Sequence, residues 1–254
     1  MGKPYDNPPI IEAVCEFRFE PQEAWDLAVP GLIFEKLRDR FPKRRPGRTF
    51  ETIVQPSPKG LQQQLTQRDF LQFLTEDEKM LVEVGQHTLR VVHFRPYSSW
   101  ATFLPVIHEA LSAYKNVVTP SGYARVGLRY VNQIDIPGTH IELESYFDVY
   151  PYVGERLPQN FYSFILGTES PYEDGTNILR LQITTGSFNR KDIIPIMLDL
   201  DHFLGKTGQL AFGEETAWLN KAHDRIEMVF EGSIKDPIRE LFGKRKDKNG
   251  SNKT

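Results

Sequence analysis

One cysteine, Cys15, stands among 254 residues. A disulfide within the chain and a cysteine-based zinc site each need at least two, so both are excluded. Cys15 falls in the alternating row Ile11, Ala13, Cys15, Phe17, Phe19 and reads as a small buried apolar residue, not a nucleophile. No apolar run approaches the roughly 20 residues that a membrane helix requires. The opening segment MGKPYDNPP lacks the apolar centre of a signal peptide. The expectation is a cytoplasmic protein with no membrane partner, for which the NGS and NKT triplets near the C-terminus carry no glycosylation meaning.

Charge of one sign is also missing. The formal net charge is -3, which argues against nucleic-acid binding through a global positive field. Catalytic signatures are absent too. There is no GxSxG, no glycine-rich dinucleotide fingerprint and no HExxH. GKTG at 205–208 resembles the end of a phosphate-binding loop, but the segment LDLDHFLGKT lacks that motif's first glycine. No cofactor is expected.

What is present is the mixture of a globular domain, 39% hydrophobic and 26% charged. Phe at 17 and Tyr at 10 point to sheet-rich packing. IIEAVCEFRFE (10–20) alternates and reads as a strand. PGLIFEKLRDRF (30–41) repeats Ile33, Leu37 and Phe41 every four residues and reads as a helix. PKRRPGR (42–48) reads as a basic loop. TFETIVQP (49–56), LQQQLTQRDFLQFLT (61–75) and MLVEVGQHTLRVVHF (80–94) read as three strands, and residues 98–118 as a helix with Pro105 near its start.

The second half follows the same order: a strand (122–136), a short helix (143–150), strands near NFYSFILGT (160–168), NILRLQITTG (177–186) and IIPIMLDLDHF (193–203), and a long helix, ETAWLNKAHDRIEMVFEG (215–232). The tail from Lys244 has no apolar content and is expected to be disordered. The expected fold is therefore α+β, mostly antiparallel sheet with helices on one face, built by internal duplication of a strand-helix-three-strand-helix unit. The units span 1–120 and 121–243, with 244–254 as the tail. Three local matches support the repeat: EFRF (16–19) with GLRY (127–130), VHF (92–94) with DHF (201–203), and FLPVIH (103–108) with WLNKAH (218–223).

Four groups of residues bear on function. His108 and His223 occupy matching helix positions and could face each other around a metal or an anion; the plainer alternative is a core-edge histidine with one hydrogen bond. Asp199 and Asp201 project from one strand face, and with His223 and Asp224 they form the candidate set for a metal-dependent hydrolase acting on nucleic acid or nucleotides. Their alternative is ion pairing with Arg125, Arg129 or Arg180. Lys43, Arg44, Arg45 and Arg48 could touch nucleic-acid phosphates, although no aromatic is interleaved to stack bases.

The fourth group lies in GLRYVNQIDIP (127–137). Leu128, Tyr130, Asn132, Ile134 and Ile136 form its apolar row, and Arg125, Arg129 and Gln133 its polar one. The polar row suits a carboxylate, a phosphate or an acidic partner. Asn132 interrupts the apolar row, and a buried Asn needs partners, so it is expected to pin the junction between the two halves. With no complete catalytic set, the leading expectation is a non-catalytic binding or interaction protein that takes a protein partner or a small anionic ligand. Exposed sheet edges make a homodimer possible.

PPIIEAVCEFRF (8–19), GLRYVNQIDIP and LDLDHF…WLNKAHDRIEMVFEGSI (198–234) together resemble a sporadically distributed prokaryotic family of uncharacterised proteins of similar length, over essentially the whole chain. The resemblance implies no activity, substrate or catalytic residue. Patchy distribution is what accessory genes of defence or toxin-antitoxin loci have, an association rather than a mechanism.

Overall fold

A computed structural model describes residues 5–21, 25–57, 60–159, 161–187 and 191–243, with the backbone alone for 49–57 and 60–68. The expected disordered tail lies outside the described residues. Among the described residues nine strands form one antiparallel sheet: β1 (Ile10–Phe19), β2 (Lys43–Ser57), β3 (Gly60–Leu74), β4 (Met80–Gly85), β5 (Thr88–Phe94), β6 (Tyr123–Pro137), β7 (Ile165–Tyr172), β8 (Asn177–Thr185) and β9 (Ile193–Leu204). Four helices accompany them: α1 (Val29–Leu37), α2 (Trp100–Val118), α3 (Glu215–Ser233) and α4 (Asp236–Phe242). The strand order is β2-β3-β4-β5-β1-β6-β9-β8-β7. The two halves of the chain therefore share one continuous sheet, and β1 and β6 are hydrogen-bonded neighbours at their meeting line.

Alternation decides which face is covered. Ala13, Cys15 and Phe17 of β1, Leu128 and Tyr130 of β6, and Leu198 and Leu200 of β9 all point to one face and are buried there. Phe103, Ile107 and Tyr114 of α2 and Leu219, Ala222 and Ile226 of α3 join the same core. Burial raises the Cys15 thiol well above its usual range, as an inert core cysteine requires. α2 begins well capped: Ser99 accepts the Thr102 N–H, and Thr119 closes the helix in the left-handed region before Pro120. On the opposite face the described residues form one small buried apolar cluster, Val14, Leu74, Leu81 and Val92.

Several sequence expectations change. MLVEVGQHTLRVVHF is a hairpin, not one strand: β4 pairs with β5 through a turn at Gln86–His87, where His87 takes φ 60°. The first half thus has one strand more than the second. Lys43, Arg44, Arg45 and Arg48 are strand residues of β2 rather than a loop, because Lys43–Arg48 pairs with Asp69–Leu74 of β3. Near 143–150 there is only a 3-10 turn, Leu143–Ser145, and the strand expected at 160–168 runs from Ile165. α4 has no counterpart in the sequence reading. No helix among the described residues is long and apolar enough to cross a membrane.

Register tests the local matches against one another. His93 stands opposite Ala13 and His202 opposite Leu128. Setting the two histidines level therefore sets Arg129 level with Val14, and Arg18 level with Gln133. The VHF/DHF match and the Arg18/Arg129 match are out of step by four residues and cannot both be structural equivalents.

Candidate functional site

The uncovered face of the sheet carries a charged row that runs across the strands. Gln72, Glu83, Arg90, Glu16 and Gly127 are successive cross-strand partners on β3, β4, β5, β1 and β6. Arg90 Nη1 donates to Glu83 at 3.2 Å, and its Nε lies 3.7 Å from Glu16. Glu16 also accepts from Arg18 Nε at 2.8 Å and from Arg125 Nη1 at 2.9 Å. At Gly127 the row has no side chain, and the Arg125 guanidinium fills the gap: a Cβ there would come within 2.6 Å of Arg125 Nη1. From that position Arg125 reaches Asp201 with Nη2 at 2.8 Å and lies over the Phe203 ring at 4.6 Å. Arg180 covers the same ring at 5.4 Å and donates to Glu169.

These side chains surround a cavity of about 300 Å³ lined by Arg18, Arg90, Arg125, Arg129 and Arg180, with Glu16 and Asp201 as its only carboxylates. The Arg90 Nε–H is buried and makes no hydrogen bond, an unmet donor in a site already rich in cations. Asp201 is the least comfortable anion. Burial raises its carboxyl above the usual range although Arg125 and Arg129 pull the other way. Arg129 forms a two-pronged pair with Asp199, at 2.7 Å from Nε and 2.5 Å from Nη2, which holds the guanidinium charged.

The polar row read from the sequence therefore divides. Arg125 and Arg129 line the cavity, whereas Gln133 lies farther along β6, bonded to Asp135 at 2.9 Å. Asp199 and Asp201 do share a face, but as partners of arginines. His223 and Asp224 belong to α3, on the other side of the sheet, where His223 Nδ1 lies 3.1 Å from the Tyr130 hydroxyl. The four candidate hydrolase residues do not converge, and no group of three metal-ligating side chains exists among the described residues. The reason is the β-strand period: Arg129 and Tyr130 are neighbours in sequence and face opposite ways.

His108 and His223 do not face each other either. α2 and α3 run antiparallel, so each histidine meets the first turn of the other helix. His108 Nε2 bonds Thr216 Oγ1 at 3.0 Å, while His223 stacks on Trp100 at 4.5 Å and approaches Glu227 at 3.3 Å. His93 and His202 end their strands buried, against Phe103 and Trp218 respectively. Burial, then the charge of Arg225, pushes His202 down to about 4, so it is neutral near pH 7.

Asn132 is buried, and its Nδ2 donates to the Leu198 carbonyl at 3.0 Å. The side-chain bond runs to β9 within the second half, while the backbone of Asn132 stands opposite Ile10 of the first. The β2 cations are committed locally. Lys43 bonds the Glu76 carbonyl, Arg45 bonds Gln72, Arg48 pairs with Asp69, and Arg44 lies over Phe34.

Sequence reading passed over Arg90 and Gly127. A signal for Arg90 existed, a lone charge amid TLRVVHF. None existed for Gly127, whose role depends on a side chain two residues away folding back over it. Compared with protein-family models and with curated proteins, the chain matches none.

Proposed function

We propose that this is a binding protein whose uncovered sheet face takes a small polyanion, a phosphate, pyrophosphate or polycarboxylate, in the arginine-lined cavity. The observation that carries this reading is the cavity wall: five guanidinium groups against two carboxylates, with one buried guanidinium N–H unmet. Arginine forks match carboxylate and phosphate oxygens in pairs, and a face free of helices leaves the ligand a way in. The wider network is self-neutralised by Glu83, Asp199 and Glu169. A ligand must therefore compete with internal carboxylates, which favours multiply charged anions over single ones.

The scaffold reading goes with it. We infer that the two halves descend from one duplicated strand-and-helix unit. In support, the sheet order outward from β1 is β5-β4-β3, with β2 added at that edge, and outward from β6 it is β9-β8-β7. His93 packs on Phe103 as His202 packs on Trp218, at 5.9 and 5.6 Å. On this reading the arginine cavity straddles the line where the units meet.

The test is calorimetric titration of the full chain with inorganic phosphate, pyrophosphate and citrate. Arg125→Gln removes the guanidinium that bridges Glu16 and Asp201. A charge-assisted hydrogen bond contributes about 1.5–3 kcal/mol, so pyrophosphate affinity is expected to fall roughly ten- to hundredfold. Equal affinity in the variant, or no heat from any of the three anions, contradicts the reading.

A further inference from the structure

We infer that a second site, beneath the connection between β6 and β7, binds an organic cation carried on an apolar or aromatic body. Between β6 and β7 the described residues 138–159 and 161–164 hold no regular structure beyond the short turn Leu143–Ser145. Such connections in compact domains are usually functional. Its middle is anchored, not loose: Phe147 is fully buried and bridges to Ile234. Lys235 donates from Nζ to the Glu144 carbonyl at 2.7 Å and pairs with Asp148.

Held this way, the connection roofs a cavity of about 920 Å³. Its floor is the helix-side face of the sheet beyond the reach of α3, with Ile194 and Ile196 of β9 contributing. Its walls are aromatic: Tyr150, Tyr152, Phe161 and Tyr162, with Phe164 set edge-on to Phe161 at 6.0 Å. Tyr152 is 85% exposed and Tyr162 99% exposed, a large outlay of apolar surface to leave in water without a partner.

Charge selects the ligand. The carboxylates in the lining belong to Glu142, which His140 Nε2 approaches at 3.0 Å, and to Glu144, and among the described residues no lysine or arginine lines the cavity. The ammonium of Lys235, which anchors the connection, is already held by the Glu144 carbonyl and the Asp148 carboxylate. Several aromatic rings bordering one cavity, with carboxylates in the same lining and no lysine or arginine there, suit an ammonium group held by cation–π attraction. An anion would meet repulsion there. This site lies on the helix side of the sheet and the arginine cavity on the other, so the two inferences stand or fall separately.

The experiment is a titration of the full chain with benzyltrimethylammonium and, in parallel, with neopentylbenzene, its uncharged carbon isostere. The cation is expected to bind about tenfold more tightly than the isostere. The double variant Glu142→Gln with Glu144→Gln should weaken the cation severalfold and leave the isostere nearly unchanged, and Tyr152→Ala should weaken the cation more than the isostere. All three substituted side chains are at the surface, so the fold should persist, which circular dichroism checks. Arg125→Gln should leave the cation's affinity as it is. Equal binding of the two probes, or no cation binding at millimolar concentration, overturns the inference. So does a cation affinity that none of these substitutions changes.

Discussion

Replacing Glu16 by glutamine is expected to destabilise the protein and, at the same time, to tighten its hold on pyrophosphate. Glu16 is the hub of the open-face network: its carboxylate serves Arg18, Arg90 and Arg125, and its side chain is only 15% exposed. The contact with the exposed Arg18 contributes little. Those with Arg90 and Arg125 are charge-assisted and partly shielded, so the loss should be about 1–3 kcal/mol, read as an earlier midpoint in urea unfolding. The affinity should move the other way. Glu16 is the ligand's strongest internal competitor: without it Arg18, Arg90 and Arg125 lose a shared partner, and the five guanidinium groups face the cavity with Asp201 as the remaining carboxylate. A gain of roughly tenfold in pyrophosphate affinity is expected. A merely structural ion-pair network predicts the same loss of stability and no binding in either protein. The two readings therefore part on the second measurement.

Glu215→Ala should have the largest effect on stability. Glu215 opens α3 and is buried, and its carboxylate accepts from Tyr123 Oη at 2.5 Å, Lys115 Nζ at 2.9 Å and the Gly213 N–H at 2.8 Å. One side chain thus ties α3 to the last turn of α2 and to the first residue of β6. Alanine leaves the Tyr123 hydroxyl buried without an acceptor and an ammonium without its partner, a loss of about 3–5 kcal/mol. Glu215→Gln keeps an acceptor for Tyr123 and should lose less.

The same group gives the stability a pH signature. Burial alone would raise the Glu215 carboxyl, but the bonds from Tyr123 and Lys115 outweigh it and hold it below the usual glutamate range. A folded-state value below the unfolded one stabilises above the ordinary glutamate range, and that contribution disappears as pH falls through the depressed value. The wild type should therefore lose stability on acidification more steeply than Glu215→Gln, measured by urea unfolding at neutral and acid pH. Parallel pH curves would contradict this account of Glu215.

Much of the fold is legible in the sequence because the strands alternate cleanly. The row Leu128, Tyr130, Asn132, Ile134, Ile136 is buried throughout, and both long helices begin and end close to where their apolar stripes do. What is not legible depends on pairing. The hairpin in MLVEVGQHTLRVVHF hides because Gly85–Thr88 lacks the strong turn dipeptides. PKRRPGR reads as a loop because its strand character comes from β3 alone. The open face follows the same logic. Alternation places Arg125, Arg129, Asp199 and Asp201 on it, but only the register brings Arg90 and Glu16 from the first half against Arg125 from the second. The hydrolase set fails for a kindred reason: residues gathered by proximity in sequence, Asp199 and Asp201 with His223 and Asp224, are separated by the thickness of the sheet.

The most direct test of the arginine cavity is a two-dimensional nitrogen–proton spectrum of the arginine Nε–H groups, recorded as pyrophosphate is added. The account predicts that the signals of Arg18, Arg90, Arg125, Arg129 and Arg180 shift along one common saturation curve, with the largest changes at Arg90 and Arg125, while Arg38 and Arg239, remote from the cavity, stay still. Shifts confined to arginines outside the cavity, or drifting equally at all of them, would contradict it.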